Sequence, residues 1–498
     1  MKYKISIVLL FALISTLSFQ TAGASQSALQ PYFADFPPGT TIFVDINNNS
    51  GIEDGTAAHP FNTIQEGVDA AVSADIVGVA AGTYFENVIL GEGIQLIGAE
   101  RTSTIIDGGG SGTVVRMQNA SLLKGFTIQH GSASFGAGIV TSGSPTISDN
   151  IIRNNAQGSG GAGAAIHGNC SSPTITSNLI TENTADTQFL SGAIAFINCS
   201  SPYIANNVIW NNTGRGAINL TLPTGNTPMV LNNTIFSNSG AGIKIDSRVD
   251  QSAVIVANNI LSGNTTGIQI DFGTVEDLPT LVYNDVFGNS VNYSGMPDIT
   301  GANGNVSVDP LFLDEFHLDG NSPLIDAGSP TIYPSSDFDG DSRPIDSNGD
   351  GTAISEIGAD EVIFIAPIPT CNGQTATIYV NAQGIIVGGP KNGLVYQGNL
   401  PGTAAADVIV GTNGKDEVSA RGGNDVVCGG GSNDKLVGGA GIDQLFGQDG
   451  NDILAGEGGN DTLTGGLGAD QFRGGAGTDT ATDFTPAQGD TKTGVENF

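Results

Sequence analysis

The sequence predicts an all-β protein built from two successive arrays of stacked repeats. In the middle of the 498-residue chain an Asn-centred phrase returns every 25 to 29 residues, and near the C-terminus an aspartate returns every nine residues. Both arrays consist of short apolar segments separated by Gly, Asn and Pro turns, which is typical of strands stacked one coil per repeat. We therefore expect a β-helix followed by a roll of nonapeptide turns.

The N-terminus predicts export. Lys2 and Lys4 precede an apolar run from Ile5 to Leu17, and Ala22-Gly23-Ala24 precedes Ser25. This is the pattern of a cleaved signal peptide, residues 1–24. Because the apolar run is too short for a membrane span and no other span is predicted, we expect a bacterial protein that is secreted or associated with the cell surface.

The charge of the chain disfavours two classes of partner. Sixteen basic and 49 acidic residues give a formal net charge of -33, which argues against nucleic acid and anionic membranes. Bound Ca²⁺ would relieve the self-repulsion of such a chain and contribute free energy to folding. Calcium is abundant outside cells, so export and calcium binding are consistent with each other.

Residues 25–100 are expected to form an N-terminal cap and the first coils. Thr63 and Glu66 have the spacing of a helix capping box. Four apolar residues share one face of the helix that this box predicts: Phe61, Ile64, Val68 and Val72. Such a helix would cover the open end of the coil stack, where strand edges are otherwise unpaired.

The middle array, residues 101–320, contains six copies of the Asn phrase, at Asn150, Asn178, Asn207, Asn233, Asn259 and Asn284. Each repeat also has a strand that ends at an isoleucine: Ile139, Ile166, Ile194, Ile218, Ile243 and Ile268. With the segment before it, roughly residues 41–320, this array resembles the right-handed parallel β-helix of the pectate-lyase-like superfamily. We expect the Asn column to be a ladder of stacked amides rather than a binding site.

Residues one and three positions after these isoleucines are expected to point away from the coil interior. On that face lie Lys244, Asp246 and Asp271, with Arg248 and Asp250 just beyond. Polysaccharide lyases of the superfamily that the array resembles use an acidic Ca²⁺ site to neutralise a uronate and a Lys or Arg to abstract its α-proton. Lys244, Asp246 and Asp271 are therefore the candidate catalytic residues. The alternative is an ordinary solvated face, because a flat exposed strand desolvates a lysine too little to lower its pKa.

Signatures of particular enzymes are missing from the middle array. It lacks the Asp-Pro-His-Glu-like tetrad that alginate C5-epimerases carry with the same two-array layout, and Trp210 is the one tryptophan. The favoured hypothesis is an exported, adhesin-like calcium-binding protein whose β-helix contacts an acidic polysaccharide or a cell-surface or matrix glycan. The alternative is a calcium-dependent polysaccharide lyase or uronate C5-epimerase that acts on an acidic glycan along the β-helix face.

The segment 321–361 is rich in aspartate and is expected to close the β-helix. Alternating acidic residues before glycines imitate the start of an EF-hand loop, although Ile357 stands where the twelfth-position ligand would be. The candidate ligands of a second calcium site are Asp337, Asp339, Asp341, Asp346, Asn348 and Asp350. The alternative is a cluster of Asp-rich turns. A linker or pre-repeat segment is expected over residues 362–403.

The nonapeptide array, residues 404–484, follows the pattern G-G-x-G-x-D-x-U-x, in which U is apolar. Its aspartates are Asp407, Asp416, Asp425, Asp434, Asp443, Asp452, Asp461, Asp470 and Asp479. Stacked turns would align the U side chains into a thin core, and carboxylate and carbonyl oxygens on glycine-rich loops suit Ca²⁺. The array closely resembles the haemolysin-type, or RTX, calcium-binding repeat, whose turns form a parallel β-roll with Ca²⁺ between successive loops.

The first turns of this array depart from the pattern. Ala405 and Ser432 replace the glycine two residues before the aspartate, and Ala420-Arg421 replaces the leading Gly-Gly. We therefore expect these turns to bind Ca²⁺ weakly or to act as a cap. Residues 485–498 are expected to form a C-terminal tail.

The four cysteines suit an oxidising compartment. Cys170 and Cys199 lie in matching Asn-Cys-Ser-Ser-Pro pieces, so they would be within disulfide reach if those pieces occupy adjacent coils. The remaining pair, Cys371 and Cys428, would then tie the pre-repeat segment to the roll. The alternative is free thiols stacked inside the coils.

Overall fold

The computed structural model describes residues 40–498 except 187–189, 223–224, 247–252, 272–277, 315, 348–350, 363–367 and 382–383. The predicted signal peptide and the candidate residues Arg248, Asp250, Asn348 and Asp350 therefore lie outside the described residues. The chain divides into two compact units, residues 1–364 and residues 365–498. In the described parts of the chain, no helix has the length and apolarity needed to cross a membrane.

The first unit is a stack of coils whose strands form three long parallel sheets. Sheet 1 contains Thr41–Val44, Ile76–Val79, Gln95–Gly98, Leu122–Lys124, Thr146–Ser148, Thr174–Thr176, Tyr203–Ala205, Met229–Leu231, Ile255–Ala257 and Thr280–Val282. Sheet 2 contains Gly82–Phe85, Thr104–Asp107, Thr127–Gln129, Ile151–Arg153, Leu179–Thr181, Val208–Trp210, Thr234–Phe236, Ile260–Ser262 and Asp285–Phe287. Sheet 3 contains Val88–Leu90, Val115–Met117, Ile139–Gly143, Ile166–Ser171, Ile194–Ile197, Gly216–Thr221, Ala241–Asp246, Thr266–Asp271 and Val291–Ser294. Strands Ser132–Phe135 and Ala156–Ala162 pair beside them.

The isoleucine column sets the register of sheet 3. Ile139, Ile166, Ile194, Ile218, Ile243 and Ile268 pair in sequence along the sheet and are fully buried. Because side chains alternate between the two faces of a strand, the neighbouring positions lie on the outer face of the coil. The predicted β-helix, with one coil per repeat, is confirmed.

The one α-helix among the described residues covers the start of the coil stack. It runs from Ile64 to Ala70, and the Thr63 side chain accepts a hydrogen bond from the Glu66 N–H, as the capping box predicts. Ile64 and Val68 are buried. The prediction for Val72 was wrong: the helix has ended, Ala71 is already extended, and Val72 is exposed.

Two asparagine ladders run through the turns of the first unit. In the predicted ladder, each N–H donates to the Oδ1 of the next asparagine at 2.9–3.0 Å, and Asn305 ends the column. A second ladder lies five residues further along each coil, at Asn155, Asn183, Asn212, Asn238, Asn264 and Asn289. The amide groups thus satisfy buried turn backbone, and the Asn column is structural.

The second unit carries the nonapeptide roll. Its two parallel sheets are Asn399–Pro401, Glu417–Gly422, Lys435–Ala440, Ile453–Gly458, Gln471–Ala476 and Thr491–Thr493, and Val408–Val410, Val426–Gly430, Gln444–Asp449, Thr462–Leu467 and Thr480–Ala481. Antiparallel pairs join Thr370–Cys371 to Gln374–Thr375 and Tyr379–Val380 to Ile386–Val387, and short 3-10 helices span Gly389–Lys391 and Pro486–Gln488. The apolar U residues, from Ile409 to Ala481, are fully buried in one thin core. The predicted parallel β-roll is confirmed.

Both predicted cysteine pairs form disulfides. Cys170 and Cys199 lie on adjacent coils with Cα atoms 4.3 Å apart. Cys371 and Cys428 have Cα atoms 5.7 Å apart and attach the pre-repeat segment to the roll. The free-thiol alternative is therefore not supported.

Candidate functional site

The repeat aspartates of the roll form a hydrogen-bonded ladder. From Asp407 to Asp461, each backbone N–H donates to Oδ1 of the aspartate 18 residues later, at 2.7–2.9 Å. Alternate aspartates thus form two columns. Asp490 continues one column by accepting the Asp470 N–H, and Glu496 continues the other by accepting the Asp479 N–H. From Asp425 to Asp479, one carboxylate oxygen of each aspartate is thus used to hold neighbouring turns on the same side of the roll.

The other carboxylate oxygen is left over in most turns. Within the described residues, Oδ2 is buried without a hydrogen-bond partner in Asp425, Asp434, Asp443, Asp452, Asp461 and Asp479. Burial, aided by neighbouring carboxylates, raises the pKa of Asp425 to about 6 and that of Asp434 to about 7. Buried carboxylates without a partner are unfavourable, and a cation beside them would remove that penalty.

The glycine loops supply backbone carbonyl oxygens in addition to the carboxylate oxygens. Gly441 and Gly459 have φ values of 142° and 141°, which favour glycine. A Cβ added at Gly441 would lie 1.7 Å from the Gly423 carbonyl oxygen, and one at Gly459 would lie 1.6 Å from the Gly441 carbonyl oxygen. Closely stacked carbonyls together with carboxylates form an all-oxygen donor set, which fits Ca²⁺.

The first two turns differ at the position four residues before the aspartate. Thr403 donates its N–H and its hydroxyl to Oδ2 of Asp407, at 2.6 and 2.9 Å. Thr412 does the same for Asp416, at 2.6 and 3.2 Å. Later turns instead place a residue with positive φ here, such as Arg421 at 80°. The threonines are the signal that sequence reasoning missed when it attributed the weak turns to Ala405, Ser432 and Ala420-Arg421.

On the β-helix, the structure brings the three candidate catalytic residues together. Lys244 Nζ lies 2.9 Å from Asp271 Oδ2 and 3.5 Å from Asp246 Oδ2, and Arg215 lies 3.9 Å from Asp271. The expectation of a flat exposed face was wrong here, because Lys244 and Asp246 are buried. Although desolvation opposes it, hydrogen bonds from Gln269 and Lys244 hold the pKa of Asp271 below its ordinary value.

A groove lies further along the same outer face of sheet 3. It has a volume of about 500 Å³, and Arg116, Phe135, Val140, His167 and Asn169 contribute to its lining. Arg116, Val140 and His167 occupy neighbouring positions in adjacent strands. His167 is 5% exposed, its Nδ1 has no hydrogen-bond partner among the described residues, and burial lowers its pKa. The Phe135 ring lies 5.3 Å from the His167 ring.

Comparison with known families decides the nature of the roll. Residues 401–436, 429–463 and 446–481 match the RTX calcium-binding nonapeptide repeat. The chain is a right-handed parallel β-helix protein with C-terminal RTX repeats. Ca²⁺ is accordingly the ion of the RTX roll, and the donor atoms described above fit it.

The β-helix has its own matches. Residues 71–303 match the family described as periplasmic copper-binding protein NosD. No curated protein matches the chain significantly.

Three solved structures match the chain at low sequence identity. Pectate lyase Pel9A is 13% identical, with a TM-score of 0.47, over 68% of this chain and 99% of that one. A pectin methylesterase from carrot is 12% identical, with a TM-score of 0.30, over 55% and 90%. The A-module of Azotobacter vinelandii mannuronan C-5 epimerase AlgE4 is 12% identical, with a TM-score of 0.22, over 91% and 92%.

The predicted second calcium site lies in the segment that closes the β-helix. Asp337 Oδ1 accepts the N–H groups of Asp339, Gly340 and Asp341 at 2.8–3.0 Å, and its Oδ2 accepts that of Glu361. Asp346 Oδ2 accepts the Gly351 N–H. These contacts favour the alternative of Asp-rich turns, and calcium binding by this set stays a prediction.

A different cluster, which joins His317 and Asp314 to residues of the closing segment, was missed from the sequence. His317 Nδ1 lies 2.7 Å from Asp314 Oδ2, and its Nε2 lies 2.9 Å from Asp339 Oδ2, with Asp360 close by. Burial opposes protonation of His317, but the hydrogen bonds to Asp314 and Asp339 raise its pKa. Asp360 is 43 residues away in sequence, so only the folded chain shows that it belongs to this cluster.

Proposed function

We propose that this protein is an exported, calcium-dependent, adhesin-like protein whose β-helix binds a glycan along the outer face of sheet 3. The groove beside Arg116 and His167 is the observation that carries the proposal. It combines a cationic group, an exposed aromatic ring and a buried imidazole nitrogen that has no protein partner among the described residues. Such a mixture suits a sugar unit that bears a carboxylate, since polar groups fix its orientation and the ring covers an apolar face.

Charge argues for a local role of Arg116. The chain has a formal net charge of -33, so an acidic glycan is repelled by most of the protein unless cations intervene. Calcium bound to the RTX roll reduces this charge. Arg116 then supplies the attraction that selects an acidic unit at the groove.

Calcium ligation within the roll is part of the proposal. We assign Asp425, Asp434, Asp443, Asp452, Asp461, Asp470 and Asp479 as calcium ligands on their burial and their place in the ladder. Asp407 and Asp416 belong to the same predicted set, but threonines satisfy their second oxygen. These two aspartates therefore serve the N-terminal cap of the roll.

Glycan-array binding in calcium tests the β-helix assignment. The wild type is expected to bind uronate-containing glycans, and Arg116→Gln is expected to lose that binding. Arg153→Gln is the matched control, because Arg153 lies in sheet 2, away from the groove. Equal binding by wild type and Arg116→Gln would refute the groove as the glycan site.

A second candidate function rests on the lysine cluster. A lysine 2.9 Å from a carboxylate, as Lys244 is from Asp271, is the pairing expected at a lyase or epimerase that removes an α-proton from a uronate. Its burial argues against this role, because the Lys244 side chain has no exposed surface and so cannot reach the α-proton of a uronate bound on the outer face.

Ultraviolet absorbance of unsaturated uronates separates the two functions. The adhesin-like function predicts no new absorbance on alginate, pectate or glycosaminoglycans with calcium present, and product analysis by NMR would show no epimerised residues. Turnover that is lost in folded Lys244→Ala would establish the enzyme instead. Turnover that persists in Lys244→Ala would show that Lys244 is not the base.

A further inference from the structure

We propose that His317, Asp339 and Asp360 form a binding site for a divalent transition metal such as Zn²⁺ or Mn²⁺. Each residue offers one ligand atom, and the three atoms lie within 4.8 Å of one another. The set combines one imidazole nitrogen with two carboxylate oxygens. Imidazole favours transition metals, whereas Ca²⁺ takes oxygen ligands, so this site is chemically distinct from those of the RTX roll.

Asp314 fixes the orientation of the imidazole. Its Oδ2 lies 2.7 Å from Nδ1 of His317, while its Oδ1 accepts the N–H groups of Phe316 and His317, each at 3.0 Å. The ring therefore presents Nε2 to Asp339 and Asp360. A carboxylate on the far nitrogen of a metal-binding histidine is the usual arrangement, because it sets the tautomer and raises the basicity of the ligand nitrogen.

The two carboxylates are held from different parts of the closing segment. Asp360 is buried, and its Oδ2 accepts the N–H of Leu318, the residue after His317. Asp339 donates its N–H to Asp337 Oδ1, so the Asp-rich turn positions it. The Asp339 side chain is 44% exposed, which leaves room for water to complete the coordination of a metal.

Charge favours an ion here, and the distances need to change only a little. Nε2 of His317 and Oδ2 of Asp339 are 2.9 Å apart, and ligands at about 2.1 Å from a tetrahedral metal stand about 3.4 Å apart. Metal binding therefore requires Nε2 of His317 and Oδ2 of Asp339 to move about half an ångström further apart. The three carboxylates of Asp314, Asp339 and Asp360 surround one imidazole, and a divalent cation bound at Nε2 in place of a proton reduces this excess of negative charge. Asp339, predicted as a calcium ligand, is thereby reassigned.

The test uses the full-length protein in saturating Ca²⁺, so that the RTX sites are filled. Co²⁺ is titrated as an optical probe, and Zn²⁺ is then added as competitor. We expect one equivalent of Co²⁺ to produce visible d–d bands that Zn²⁺ abolishes. His317→Gln and Asp339→Asn should remove the bands, and Asp314→Asn should weaken Co²⁺ binding about 10- to 100-fold, because Asp314 is a positioning residue.

His130→Gln is the matched control. His130 pairs with Asp107 at 2.8 Å, but it is absent from the metal-ligand cluster, so its loss should leave the Co²⁺ bands unchanged. Circular dichroism checks that each variant folds. If His317→Gln does not fold, the loss or survival of the Co²⁺ bands in Asp339→Asn tests the site, because Asp339 is exposed. The absence of d–d bands in the wild type, or bands that survive Asp339→Asn, would overturn the proposal. Neither result bears on glycan binding at the distant groove.

Discussion

The backbone N–H of Asp443 donates to Oδ1 of Asp461 at 2.9 Å, while Oδ2 of both aspartates is buried without a partner among the described residues. One oxygen of each carboxylate therefore builds the roll, and the other remains available to a cation. Neither role exists in the unfolded chain, where these residues are far apart and hydrated. Calcium binding and folding of the RTX roll are consequently linked.

Removal of calcium should unfold much of the RTX roll. In a chelator, residues 404–484 are expected to lose β-structure, because about seven buried carboxylates lose the cation that offsets their burial. Hydrogen–deuterium exchange of the full-length protein measures this, and the β-helix coils provide an internal reference. Asp443→Asn should raise the calcium concentration needed for protection, whereas the exposed Asp449→Asn should not. A roll equally protected with and without calcium would contradict the prediction.

Thr412→Val should weaken the N-terminal turns in the absence of calcium. The Thr412 hydroxyl and N–H satisfy Asp416 Oδ2, so this turn needs no ion there. Losing the hydroxyl should cost about 1–3 kcal/mol locally, as for other hydrogen bonds to charged groups. Faster exchange of residues 408–422 in chelator is the expected result. Thr464→Val is the control, because among the described residues the Thr464 hydroxyl bonds only to that of Thr482. Equal effects of the two changes would argue against a threonine cap.

Periodicity explains how much of this fold is predictable. The U residues recur every nine residues and the isoleucines every 24 to 28, and repeats of similar length place these side chains on the same face of successive coils. The Asn155 ladder was equally visible, five residues after each predicted asparagine, and was overlooked. The prediction that Val72 lies on the buried helix face was wrong because helical periodicity does not indicate where a helix ends.

Features that depend on contacts across the chain were not predictable. An outward position next to Ile243 does not reveal that Lys244 is covered, since coverage depends on what packs over the strand. His317 and Asp360 meet because the closing segment folds back onto the residues that precede it. In both cases the sequence contains the residues but no regular interval that joins them.

Replacing one ladder asparagine should loosen several coils at once. The Asn207 amide donates to the Ile175 and Ala205 carbonyls at 2.9 and 3.0 Å and to Asn233 Oδ1 at 3.0 Å. Asn207→Ala removes these contacts and also leaves the buried Asn178 N–H, which donates to Asn207 Oδ1, without its acceptor, at about 1–3 kcal/mol for each group left unpaired. Exchange protection should fall in the coils on both sides of residue 207. The exposed Asn321→Ala should leave it unchanged, and intact protection in Asn207→Ala would show that water replaces the amide.

Asp285 should make the stability of the β-helix fall as pH rises. Burial, opposed by the Val308 N–H and assisted by Asp309, raises the pKa of Asp285 from 3.8 to about 7. The folded state therefore keeps a proton that the unfolded chain has already released. Its stabilising contribution is complete below about pH 4 and is lost progressively up to about pH 7, by about 4 kcal/mol in total.

Asp285→Asn isolates this effect, because the asparagine Oδ1 can still accept the Val308 N–H but cannot titrate. Urea denaturation in calcium, followed from pH 4 to pH 8, should show a smaller decline in the free energy of unfolding for Asp285→Asn than for the wild type. Asp298→Asn is the control, since Asp298 is exposed and its pKa is lowered rather than raised. Parallel pH profiles for wild type and Asp285→Asn would mean that Asp285 is ionised in the folded protein, with water or a cation compensating the oxygen that has no protein partner among the described residues.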